Sequence, residues 1–328
     1  MTLTEPTFPA PPSTLRKVFI GKDGLRAGWS LLIFIVLVAA LGFAVNRIAH
    51  KLYPPSPNGP TPGAEISPGL LFIAEAIPFV IVVLVTWIMS KIERRPNSVY
   101  GFGGTRRLAN FFSGFAWGVT FLSALVLTLW KTGLLAIDSR LLFGSSIFRY
   151  GAIWLCGFLL VGLLEEYLTR GYLQYTLTRG LAGVYQWAFK TRRSAALGFW
   201  TSAFILSFLF GLGHGKNPGE SPIGLFAAGL AALVFCLSLW RTGSLWWAIG
   251  FHTSWDWAQS FLYGVADSGM MAQHHLLATH ALGKPVLSGG ATGPEGSVFC
   301  LVVLFLACLV IVFTLRRSPY LAAAEWPS

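Results

Sequence analysis

The chain has 328 residues, 54% of them hydrophobic and 11% charged, where an average soluble domain carries about 25% charged residues. That composition excludes a soluble globular protein, and 36 glycines without a three-residue period exclude a collagen-like chain. The net charge of +11 invites a nucleic-acid partner, but the basic residues are scattered between apolar stretches with no binding module around them, so none is expected.

A hydrocarbon core of about 30 Å takes roughly 20 helical residues to cross. Eight stretches qualify: Gly28 to Ile48, Gly69 to Ser90, Phe111 to Trp130, Tyr150 to Tyr172, Ala195 to Gly213, Gly224 to Trp240, Ser244 to Tyr263 and Ser297 to Leu315. Lipid offers backbone amides no partner, so these are expected as α-helices, and the short alternating segments of a β-barrel are missing. The expected fold is all-α: a polytopic membrane protein of about eight transmembrane helices enclosing an intramembrane polar site.

In chain order, residues 1–26 read as a cytoplasmic segment carrying Arg16, Lys17, Lys22 and Arg26. The first apolar stretch lacks a small-x-small cleavage site and reads as a retained signal anchor. Residues 27–148 hold the first three helices, with the Pro54 to Pro62 run between two of them read as a stiff extended linker. Residues 149–264 hold helices four to seven, and residues 265–328 an outer loop, the eighth helix and a cytoplasmic tail. The four cysteines all fall inside predicted spans without a C-x-x-C pair and are expected as packing residues.

With the N-terminus inside, sixteen lysines and arginines fall on inner segments and seven on outer ones, while Arg170 sits within the fourth helix. That bias places both termini in the cytoplasm, in what is expected to be a bacterial cytoplasmic (inner) membrane.

Of thirteen acidic residues only Glu75, Glu165, Glu166 and Asp256 lie in spans, with Arg170, His214 and His252 beside them. An ionisable group at membrane depth costs several kcal/mol, so a cluster points to function. Glu166 and Arg170 stand at i and i+4 in the favourable order for an ion pair, whereas Glu165 points about 100° away and is left free. His214 follows Phe210-Gly-Leu-Gly, where the glycines admit a close backbone, and His252 with Asp256 forms a second i, i+4 pair. Such a set can activate a water and stabilise an oxyanion, or ligate a divalent metal.

Glu165-Glu166-x-x-x-Arg170, Phe210-x-x-x-His214 and His252-x-x-x-Asp256, in this order on successive apolar segments, resemble the three motifs of the CPBP family of CAAX proteases and bacteriocin-processing enzymes. The resemblance covers about Tyr150 to Tyr263. It implies an intramembrane endopeptidase in which Glu165 is the general base assisted by His214, His252 and Asp256 stabilise the oxyanion, and Glu166, Arg170 and Phe210 have structural, orienting roles. Its partner would be a membrane-associated peptide or protein.

Members often carry asparagine where this chain has Asp256, and an ionised aspartate cannot donate to an oxyanion. Asp256 is therefore protonated by burial, orients His252, or ligates a metal. Family members are often called metalloproteases, and Glu165, His214, His252 and Asp256 would suit zinc, yet a glutamate-activated water needs no metal; both alternatives stand. Two other functions compete: a proton-coupled transporter relaying through the buried acids and histidines, and a non-catalytic immunity or scaffold protein that sequesters a peptide.

Depth poses a difficulty. At about 1.5 Å per residue, His252 and Asp256 fall near mid-membrane, His214 near the outer end of its span and the glutamates nearer the inner half; a fourth helix running past Arg170 to about Thr178, or a fifth starting before Ala195, would bring them level. Glu75, just before Pro78, reads as part of a kink rather than as a cavity residue. His274, His275 and His280 in the outer loop match no metal-ligand spacing, and the Trp246-Trp247 and Trp255-x-Trp257 clusters read as interfacial anchors and packing.

Overall fold

The computed structural model describes residues 18–21, 24–52 and 65–317. Arg16, Lys17, Lys22, the Pro54 to Pro62 linker and the tail past residue 317 lie outside the described residues. The fold is all-α and polytopic, built from nine helices among the described residues. These are α1 (Ala27–Leu52), α2 (Pro68–Glu93), α3 (Arg107–Lys131), α4 (Ser145–Glu166), α5 (Gln174–Phe189), α6 (Ser194–Gly213), α7 (Pro222–Thr242), α8 (Trp246–Trp257) and α9 (Val298–Thr314).

Local sequence fixes several ends. Ser67 and Ser221 cap α2 and α7, each accepting a hydrogen bond from the amide three residues on, with proline at the first helical position. Gly243 closes α7 at φ 67°, a left-handed conformation that costs glycine nothing.

Six helical stretches are long and apolar enough to cross a membrane, so the expected count of eight is not confirmed. Two differences account for this. The seventh expected span is α8 with a π-helical turn, Ala258–Leu262, and its residues are enclosed by protein on nearly every side instead of facing lipid. The eighth, α9, has 17 residues, short of the roughly 20 that a full crossing needs.

The fourth expected span is also longer than Tyr150 to Tyr172. Helix α4 passes through a π-helical stretch, Tyr167–Leu173, into α5, giving one helix of 45 residues from Ser145 to Phe189. At about 1.5 Å per residue this is more than twice the thickness of a hydrocarbon core, so one end lies beyond it.

Helix α8 is the axis of the molecule. On α3, Gly114 and Gly118 leave no room for a Cβ against the α8 carbonyls of Trp247 and Phe251, and on α8 Gly250 does the same against Phe111. The two helices therefore touch backbone to backbone, as small residues allow in membranes. Around this seam Phe121, Leu125, Phe235, Trp247, Phe251 and Leu304 form the largest apolar core. Large apolar side chains such as Phe148, Val80, Phe208 and Phe313 stay exposed on the outer faces of the spans, where lipid takes the place of water.

The segments between spans are more ordered than an all-helical reading implies. Strand β1 (Ile20–Gly21) pairs antiparallel with β2 (Gly24–Leu25), and β3 (Glu65–Ile66) runs parallel to β5 (Met271–Ala272). Strand β4 (Leu135–Arg140) pairs antiparallel with β6 (Leu277–Ala281), with a bulge between Ile137 and Ser139. The last two pairings tie the segment after α8 to the segments before α2 and after α3, and roof the bundle at that end.

Candidate active site

The motif residues meet on α4, α6 and α8 around one cavity of about 270 Å³. On α4 the two adjacent glutamates part company as helical geometry requires. Glu166 is fully buried, and its Oε1 accepts from Arg170 Nη1 at 2.9 Å and from His252 Nδ1 at 3.1 Å. Glu165, with 31% of its side chain exposed, faces the cavity, and its Oε2 lies 3.7 Å from His252 Nε2. On α8, Asp256 Oδ2 approaches the same nitrogen to 3.5 Å. His252 thus stands between three carboxylates, and its ring stacks on Phe235.

Arg170 is held twice. Besides Glu166 it lies over the Phe210 ring, 4.4 Å from the centroid, and near Phe235 at 5.6 Å. These are cation–π distances, and such contacts are strengthened where water is excluded. This accounts for an aromatic residue four positions before His214: Phe210 covers the arginine of the first motif.

His214 closes α6. Its Nδ1–H donates to the Phe210 carbonyl at 2.8 Å, since a carbonyl only accepts, and in the neutral ring Nε2 is then an acceptor. His214 lines the same cavity as Glu165, but the imidazole beside Glu165 is His252, and His214 forms no hydrogen bond or ion pair with that carboxylate. The difficulty over depth disappears with the long helix, because Glu165 and His214 share one cavity.

Two of the three helices bearing the motifs change to π-helical winding beside them, α4 at Tyr167–Leu173, which carries Arg170, and α8 at Ala258–Leu262. Such turns are rare and cluster at functional sites. Nothing in the residue pattern marks them.

Three further acids line the cavity. Glu75 of α2 does so, where the sequence reading favoured a kink. Asp267 and Glu295 belong to the segment between α8 and α9, and a sequence that assigns them to an outer loop gives no sign of their convergence. Trp255 Nε1–H donates to Glu295 Oε1 at 2.9 Å, and the Ser260 hydroxyl to Asp267 Oδ2 at 3.0 Å. Burial, then the neighbouring Asp256 and Glu295 carboxylates, pushes the Asp267 carboxyl well above its ordinary range.

The outer histidines do not assemble. His274 stacks on Tyr150, His275 bonds the Ala272 carbonyl, and His280 pairs with exposed Asp138 at 2.8 Å. Trp247 and Trp255 are core residues rather than interfacial anchors.

A zinc ion on Glu165, His214, His252 and Asp256 would need their donor atoms to converge at about 2 Å from one centre. They do not: among the described residues, the set of donor atoms lying within 4.8 Å of one another belongs to Asp256, Asp267 and Glu295. The quartet as placed does not fit zinc.

Residues 148–258 match the family model described as type II CAAX prenyl endopeptidase Rce1-like, in keeping with the CPBP resemblance. No curated protein and no solved structure matches the chain. The matched segment runs from the start of α4 to the end of α8 and indicates a peptidase, in an integral membrane protein by its apolar helices. It leaves α1 to α3 outside.

Proposed function

We propose that the chain is an intramembrane endopeptidase that hydrolyses a peptide bond in a membrane-associated peptide or protein, with Glu165 as general base. The observation that carries this reading is the division of labour between the paired glutamates. Glu166 is spent on Arg170 and His252, and Glu165 is turned into the cavity beside His252.

In this reading Glu165 takes a proton from a cavity water, and the hydroxide adds to the scissile carbonyl carbon. His252, its Nδ1–H fixed on Glu166, offers Nε2–H to the developing oxyanion. Asp256 acts on His252 rather than on the oxyanion, because an ionised carboxylate has no proton to donate. His214, with Nδ1 fixed on the Phe210 carbonyl, presents Nε2 as a second acceptor for the water. Collapse of the intermediate returns the proton from Glu165 to the leaving amine. The apolar wall of Leu71, Phe158, Val161 and Ala231 suits a membrane-embedded segment of the substrate. The excess of basic residues on alternate segments supports cytoplasmic termini in a bacterial inner membrane.

The test is cleavage of a library of lipidated and unlipidated peptides by the detergent-purified protein, with Glu165→Gln as control. General-base catalysis contributes about 10²- to 10⁴-fold, so turnover should fall by at least about 100-fold. Retained turnover in the variant would remove Glu165 from the mechanism. Proton-driven uptake into liposomes without any cleavage would replace the peptidase by a transporter.

A further inference from the structure

The helix of 45 residues is too long for one crossing, and its packing shows which end overshoots. Helices α5 and α6 form an antiparallel hairpin: a Cβ at Gly198 of α6 would meet the Thr178 carbonyl and the Ala182 backbone of α5, and the Thr178 and Ser202 hydroxyls bond at 2.7 Å. The neighbouring helices stop short of its tip. Glu93, the last residue of α2, is level with Tyr172 and Arg179, which reach its carboxylate at 2.8 and 4.0 Å. Trp240, in the last turn of α7, lies against Phe199 and Trp200 of α6. At about 1.5 Å per residue, Phe189 stands about 15 Å past Arg179, and Ser194 about 8 Å past Phe199. The tip therefore projects past the ends of α2 and α7 into the headgroup layer, which adds about 5–8 Å to each side of the hydrocarbon core.

Two kinds of side chain crowd this tip. Val184, Trp187 and Phe189 are 56, 83 and 69% exposed, and Trp187 is the most exposed large apolar side chain among the described residues. Lys190, Arg192 and Arg193 form the turn that follows, all exposed. The turn is ordered: Lys190 N–H donates to the Gln186 carbonyl at 3.0 Å, and Thr191 accepts from the amides of Arg193 and Ser194 at 3.2 and 3.3 Å. Its charge is uncompensated. No aspartate or glutamate occurs between Glu166 and Glu220. Among the described residues these three cations form no ion pair, unlike Arg95, Arg170 and Arg179.

The two features together define the occupant. Unpaired cations attract an anion, and exposed aromatic rings beside them need an apolar cover. The edge of a bilayer supplies both, phosphates at the headgroups and the first methylenes beneath. Tryptophan is enriched there because one end of its ring system is apolar and the other polar, and lysines and arginines clustered beside a span are drawn to anionic lipid. An acidic soluble partner would answer the charge alone. We propose that the tip of the α5–α6 hairpin, Trp187 to Arg193, is a binding surface for the headgroups of anionic phospholipids. This goes beyond the peptidase reading and does not depend on it.

The full-length protein in a zwitterionic detergent is titrated with dioleoyl phosphatidylglycerol or dioleoyl phosphatidylcholine, while native mass spectrometry counts retained lipid and the unfolding temperature is followed. Phosphatidylglycerol should be retained in preference, should raise Tm saturably as a ligand of the folded state does, and should lose affinity as salt rises. Replacing the three cations together (Lys190→Gln, Arg192→Gln, Arg193→Gln) should weaken its binding at least about tenfold. The Tm without lipid should stay the same, because no ion pair is lost. Arg316→Gln with Arg317→Gln, which removes exposed cations beyond α9, should leave binding unchanged. Should the triple variant not fold, Arg192→Gln with Arg193→Gln, outside both helices, carries the same comparison. Equal retention of the two lipids overturns the proposal, as does a phosphatidylglycerol preference that survives the hairpin substitutions or falls equally in the Arg316 and Arg317 control. A polyglutamate peptide that binds through the same three cations, with no preference between the lipids, would assign the surface to an acidic protein and overturn it too.

Discussion

Glu165 and Glu166 are neighbours of identical chemistry, and the same substitution should have opposite consequences at the two positions. In Glu166→Gln the fully buried Arg170 loses its ion pair at 2.9 Å and His252 its anchor at 3.1 Å. Breaking a buried pair costs about 3–5 kcal/mol, and the remaining amide oxygen recovers about 0.5–1.5 kcal/mol as a neutral acceptor. The net destabilisation is about 2–4 kcal/mol. The Glu165 side chain is 31% exposed, and among the described residues the group that forms an ion pair with it, His252, keeps Glu166 and Asp256. Glu165→Gln should therefore change stability by less than about 1 kcal/mol while turnover falls by about 10²-fold or more. Denaturation in mixed micelles, followed by tryptophan fluorescence, measures the first quantity, and cleavage of a peptide selected from the library measures the second. Equal destabilisation by the two substitutions would refute the division of labour, whatever the activities.

Two other outcomes follow from the same geometry. Phe210→Ala uncovers Arg170, whose guanidinium lies 4.4 Å from the ring centroid, and should cost about 2 kcal/mol or more at a desolvated site, while Phe210→Tyr should cost little; chemical denaturation of both variants decides. Asp267 carries a folded-state pKa above its unfolded value. It therefore contributes stability below the ordinary carboxylate range, and that contribution is lost as pH rises through the raised value. In EDTA, the Tm of Asp267→Asn minus that of the unaltered protein should grow from about pH 4 toward neutrality; a difference that shrinks with rising pH would contradict the burial of this group.

How far the sequence announces the site depends on which interactions are local. Glu166 with Arg170 and His252 with Asp256 are i, i+4 pairs, and helical periodicity alone exposes them together with the odd glutamate out. The pairing of His252 with Glu166 spans 86 residues and has no local sign. Nor do Asp267 and Glu295, which hydropathy assigns to solvent. The span count failed at α8 because composition reports how apolar a helix is and not what covers it: a helix enclosed by protein reads like one enclosed by lipid. The strand pairs failed to show because segments of two to six residues leave no periodicity to read.

Helices α1 to α3 lie outside the family match, yet α2 engages the matched segment at two points. Glu75 and Glu93 are separated by eighteen residues, five full turns at about 3.6 residues each, so both lie on one face. Glu75 lines the cavity. Glu93, buried at the other end, accepts from Tyr172 at 2.8 Å and Tyr100 at 3.2 Å, with Arg179 at 4.0 Å and Arg95 at 3.9 Å. Tyr172 belongs to the π-helical stretch that follows the paired glutamates, and its ring stacks on Phe34 of α1. The N-terminal helices thus grip the helix of the paired glutamates two residues past Arg170. Tyr172→Phe keeps the stacking and removes one hydrogen bond to a charged group, a loss of about 1.5–3 kcal/mol. The expected result is a destabilised protein whose remaining folded fraction cleaves at the normal rate, because Glu166 still anchors His252. A Tyr172→Phe protein with unchanged stability would mean that α2 merely lies against the helix of the paired glutamates and does not hold it.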